Sequence, residues 1–201
     1  MDRRLGWIAL ALIPPMAGLF HLLSLTRHPL TGYLIGMGVY WLLLIAALVW
    51  RGCWPWRIGR PARWTVLGFA ALLGLALWMG RDCLDRLSPL VMAAVVVSAL
   101  LNGFLEEGFW RGALIPGLGR GDWGRALAPL GLFVLWHLAP MAGQGRIAHA
   151  CNDVNMLLAA ALLGVPAMGA RLSSGSAGAG ALGHAALNLA AFWIIAAHPP
   201  A

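Results

Sequence analysis

Residues 89–118 read PLVMAAVVVSALLNGFLEEGFWRGALIPGL, and this stretch decides the fold. A helix needs about 20 apolar residues to cross a bilayer core. As one helix the stretch would reach about 45 Å, so it must tilt, protrude or break, with Pro116 the expected break. The only two glutamates of the chain, Glu106 and Glu107, lie deep inside it. An ionised group in mid-membrane costs about 2.5–3.5 kcal/mol on insertion scales. Folding alone does not require that cost, so the pair marks a functional site.

The remainder of the chain agrees. Of its 201 residues 61% are hydrophobic and 10% charged, with a mean hydropathy of +0.79. Soluble domains carry about 25% charged residues, so a soluble globule is excluded, as is disorder. Further apolar segments lie at 5–25, 31–50, 64–80, 126–142, 154–170 and 172–197. The expected fold is therefore all-α: a polytopic transmembrane helical bundle of about seven spans in a single integral membrane domain, 1–201. The start resembles a signal peptide, but Pro14-Pro15 interrupts the apolar run and no Ala-x-Ala site follows. It reads as a retained first span.

All 14 basic residues are Arg, and the net charge is +7. They stand singly between apolar runs and form no stripe, which argues against a nucleic-acid partner. Counted by loop, nine fall on one side (Arg3, Arg4, Arg51, Arg57, Arg60, Arg63, Arg120, Arg125, Arg171) and four on the other (Arg27, Arg81, Arg86, Arg146). The positive-inside rule places the first side, with the N-terminus, in the cytoplasm. Trp50, Trp54, Trp56 and Trp64 around the loop 51–63 read as an interfacial belt. Cys53, Cys83 and Cys151 show neither a disulfide framework nor a zinc knuckle. Gly32/Gly36, Gly108/Gly112 and the small residues of 172–183 are packing motifs, within or between chains.

Helical spacing sorts the polar residues. Glu107 and Arg111, four apart, share a face and can pair, whereas Glu106 points about 100° away, toward Asn102. Phe133 and His137 form a second i, i+4 pair, His184 and Asn188 a third. Glu106 lies 12 residues before Leu118 and His137 lies 12 after Arg125, about 18 Å deep from one side. His184 reaches that depth if 172–183 is helical and sits shallower if it is loop. A carboxylate and an imidazole can deprotonate a water, and an imidazole and an amide can hold an oxyanion.

Taken together, Glu106-Glu107-x-x-x-Arg111, Phe133-x-x-x-His137 and His184-x-x-x-Asn188 resemble the EExxxR, FxxxH and HxxxN motifs of the CPBP family. These are the CAAX-protease and bacteriocin-processing (Abi) intramembrane proteases. The resemblance covers 89–197 as a catalytic core; spans within 1–88 carry no motif. It implies a glutamic-type membrane endopeptidase, with Glu106 and His137 activating water and His184 and Asn188 as the oxyanion hole. Glu107, Arg111 and Phe133 would support the site. It implies no cofactor or metal, a membrane-anchored protein or peptide substrate, and a bacterial inner membrane. Peptide maturation, immunity and sorting-tag processing all fit.

Two readings from other classes stay open. A zinc protease could use Glu106, His137 and His184, although no HExxH helix is present. A non-enzymatic scaffold or immunity protein could keep the cluster for structure or proton movement.

Overall fold

In a computed structural model the chain is all helical across the residues the structure describes, 1–83, 87–144 and 156–197. Helix α1 runs Arg3–Ser24, α2 Pro29–Arg51, α3 Arg63–Met79 and α4 Pro89–Glu107. A π-helical stretch, Gly108–Ala113, continues α4. Then follow α5 (Trp123–Trp136), α6 (Leu138–Gln144), α7 (Met156–Ser174) and α8 (Gly178–Ala197).

Local chemistry sets these bounds. Asp2, Ser88 and Asp122 cap α1, α4 and α5 through their side-chain oxygens. Pro29 and Pro89 occupy first-turn positions, where the missing N–H costs nothing. Pro140 lacks the N–H that would return to Trp136, and α5 gives way to α6 at His137. Gly175, at φ +78°, ends α7 in a conformation that side chains disfavour.

Among the described residues six helical segments are long and apolar enough to cross a membrane, α4 with its π-helix and α5 with α6 each counting as one. The 17-residue α3 is shorter, near the lower limit of about 17 residues for a span. Leucines such as Leu22, Leu42, Leu67 and Leu90 stand more than 60% exposed. Such faces suit lipid and not water, and the protein is an integral membrane protein.

The segments expected on the Arg-rich side do meet at one end of the bundle. The Asp2 amide donates to the Leu114 carbonyl (2.7 Å), Ala177 N to Pro55 O (3.1 Å) and Gly121 N to Leu172 O (3.3 Å). Arg171 departs from that expectation. It is not a loop residue: α7 continues through it to Ser174, and it is buried. The boundary between the last two spans falls at 175–177 instead of at Arg171. Arg86, Arg146 and Cys151 lie outside the described residues.

The glycine motifs pack within the chain. A side chain at Gly36 would meet the Phe20 ring of α1, and one at Gly112 would meet Trp54. Trp54 thus belongs to the bundle and not to an interfacial belt. Trp56 packs on Phe104, ring centres 5.6 Å apart. Segment 52–62 is tied to the α7–α8 turn by Ala62 N donating to Ser173 Oγ (2.9 Å) and Ser176 Oγ donating to Arg57 O (2.7 Å).

Candidate active site

The site begins with the packing of α4 on α8. A Cβ at Gly103 would stand 2.7 Å from the Ala185 backbone nitrogen, so only glycine permits this approach. The close crossing brings the end of α4 onto His184. Glu107 Oε1 lies 3.0 Å from His184 Nδ1 and 3.0 Å from Arg111 Nη1. All three side chains are buried. The expected Glu107–Arg111 pair therefore forms, and His184 joins it from 77 residues away. Gly180 leaves room for Glu107 Oε2, which a Cβ would approach to 2.9 Å.

Glu106 has no partner in its own helix, as its direction implied. Its Oε2 lies 3.6 Å from His184 Nε2, beyond hydrogen-bond reach, and is buried without a hydrogen-bond partner. Asn102 does not serve it: its Oδ1 accepts from Trp41 Nε1 at 2.9 Å. A residue missed in the sequence, Tyr40, does face Glu106. The Tyr40 hydroxyl also accepts from Trp110 Nε1 at 3.2 Å. It is one of two tyrosines, placed mid-span in α2, and that rarity was the available signal.

Phe133 is the hub. Its ring centre lies 3.9 Å from Arg111 Cζ, 4.7 Å from the His137 ring and 6.3 Å from the His184 ring. The guanidinium over its face is a buried cation–π contact. His137 Nδ1 donates to the Phe133 carbonyl at 2.8 Å, which in the neutral ring leaves Nε2 as the acceptor. His137 lies within electrostatic reach of Glu106 and His184. Asn188 lies one turn beyond His184 on α8, with its Nδ2 buried and unpartnered.

Arg111, which reaches both Glu107 and Phe133, lies within the π-helix. Leu114 N donates to Phe109 O at 2.9 Å, an i to i+5 bond. A π-turn misaligns neighbouring carbonyls and recurs at functional sites. Here Arg171 takes up two of them: its Nε donates to Arg111 O at 2.9 Å and its Nη2 to Ile115 O at 3.3 Å. The long segment stays helical through Gly108 and ends at Ala113, three residues before Pro116, close to the expected break. His184 reaches the level of Glu106 and Glu107, although 175–177 is a turn and α8 starts only at Gly178. From Gly178 it lies about 9 Å into α8. Among the described residues no three His, Cys, Asp or Glu side chains converge to hold a metal ion, so the zinc reading of Glu106, His137 and His184 has no ligand set here.

A family model described as type II CAAX prenyl endopeptidase Rce1-like matches residues 87–190. The chain belongs to this Rce1-like family. No curated protein and no solved structure matches it. The Rce1-like region starts just before α4 and ends within α8, so it contains Glu106, Glu107, Arg111, Phe133, His137, His184 and Asn188. Helices α1–α3 lie outside it. An Rce1-like chain is a membrane protease, a hydrolase.

Proposed function

We propose that the protein is a glutamic-type intramembrane endopeptidase that hydrolyses a peptide bond of a membrane-anchored protein or peptide. The observation that carries this reading is a set of buried polar atoms without partners, Glu106 Oε2 and Asn188 Nδ2, beside two imidazoles. Buried polar groups are nearly always satisfied; the unsatisfied ones fit water and a substrate carbonyl.

The mechanism follows from the available lone pairs. A water held between Glu106 and His137 Nε2 loses a proton to the Glu106 carboxylate as its oxygen bonds to the scissile carbonyl carbon. The carbonyl π-electrons move to oxygen, giving a tetrahedral oxyanion. Asn188 Nδ2 and His184 Nε2 donate to it. Glu107 can only accept, so His184 Nδ1 carries a proton. A donor at Nε2 therefore requires the imidazolium. Flanked by two carboxylates and one guanidinium, an imidazolium makes the cluster neutral. Collapse of the intermediate breaks the C–N bond, and Glu106 returns its proton to the leaving amine.

The Arg-rich end, with the N-terminus, would face the cytoplasm of a bacterial inner membrane. The test compares protein termini in membranes of cells expressing the wild type and Glu106→Gln at matched levels. New termini that require Glu106 are expected; identical termini with both forms inserted would favour a scaffold.

A further inference from the structure

We infer that a cleft between α1 and α2 binds an anionic phospholipid, headgroup at the Arg-rich end and acyl chain along the helices. Two adjoining cavities carry this. The outer one, about 180 Å³, is lined by Asp2, Arg4, Leu5, Trp50 and Arg51. The inner one, about 310 Å³, shares Leu5 and Trp50 with it and runs past Ile8, Leu12, Leu43 and Ala47. Its floor is Trp110 and Trp136, both nearly inaccessible. The inner volume falls within the range of about 300–1,000 Å³ of ligand sites.

Charge selects the occupant. The Asp2 carboxylate is already engaged, accepting from the Arg4 and Leu5 amides at 3.0 and 3.2 Å. Neither Arg4 nor Arg51 forms an ion pair among the described residues. Arg51 Nε is buried with no hydrogen-bond partner. Two guanidinia against one carboxylate leave a net positive charge at the mouth of an apolar cleft, which matches a phosphate joined to a hydrocarbon chain. Basic pockets between spanning helices hold anionic headgroups in this way. Exposed Ile8 and Trp50, 45% and 62% accessible, leave the cleft open to the bilayer side. Both helices lie outside the Rce1-like region, and the floor residues Trp110 and Trp136 lie inside it.

The full chain, purified in zwitterionic detergent, is titrated with phosphatidylglycerol, with phosphatidylcholine of the same chains, and with glycerol phosphate. Thermal midpoint and lipids retained in native mass spectrometry are read. Phosphatidylglycerol is expected to bind at least about tenfold more tightly than phosphatidylcholine and to raise the midpoint. Arg4→Gln and Arg51→Gln should each weaken it by about fivefold and leave phosphatidylcholine unchanged. Ala47→Phe, or Ile8→Trp if that variant fails to fold, should fill the cleft and remove the shift. Equal binding of the two lipids would overturn the proposal. So would a preference that survives in the double Arg variant, or a full shift produced by glycerol phosphate alone.

Discussion

Glu107 and His184, on helices from opposite ends of the Rce1-like region, meet at 3.0 Å in the buried interior, and the same Glu107 oxygen pairs with Arg111 at 3.0 Å. One carboxylate thus orients both a guanidinium and an imidazole. Its neighbour Glu106 is left unpaired at Oε2. On the proposed mechanism the two acids divide the work between holding the site and performing its chemistry.

Glu107→Gln should therefore be the more damaging change to the fold. It leaves Arg111, fully buried, without its counter-charge. Breaking one side of a buried pair costs about 3–5 kcal/mol. Thermal unfolding in detergent should show a large drop, and a midpoint equal to that of the wild type would refute the assignment.

Glu106→Gln should spare the fold, because Glu106 Oε2 accepts no hydrogen bond. Cleavage should fall about 100- to 10,000-fold, the usual worth of general acid–base catalysis. A single-turnover assay on a membrane-anchored peptide reads this, and normal turnover would remove Glu106 from the mechanism.

Arg171→Met should loosen the π-helix. It strands the carbonyls of Arg111 and Ile115, at about 1–3 kcal/mol for each buried group left unmade. Hydrogen exchange of residues 108–115 should rise, with activity lost in parallel. Unchanged protection would show that the π-turn holds itself.

Gly103→Ala should act at a distance from the chemistry. Its Cβ would press on the Ala185 backbone at 2.7 Å, and such overpacking costs about 1–3 kcal/mol. Separating α4 from α8 also draws Glu106 from His184, so cleavage should fall more steeply than stability. Gly131→Ala, on α5, meets nothing within 4 Å and should be neutral or slightly stabilising. Similar losses in both variants would argue against a packing cause.

The spans were legible because length and hydropathy are local properties. So were the pairs at i, i+4, since Glu107–Arg111 and Phe133–His137 need only one helix. What escaped was non-local. Arg171 reads as a loop marker because it falls between the apolar segments 154–170 and 172–197, yet it is drawn inward by carbonyls on another helix. Trp54 reads as an interfacial residue, yet two glycines 54 and 58 positions later make a place for it. The π-turn leaves no signature at all in residues 108–113, whose spacing suits an α-helix equally well.

The pairing of Glu107 with Arg111 also bears on biosynthesis. Both groups lie on one segment, so their charges cancel as soon as that segment leaves the insertion machinery, when α8 has not yet been translated. Glu106 has no such companion. Its neighbours come from other helices, Tyr40 from α2 and, 78 positions later, His184 from α8. The polar cluster is therefore assembled only once α8 has been made, and on the proposed mechanism a ribosome stalled before α8 would release a chain with no hydrolytic activity.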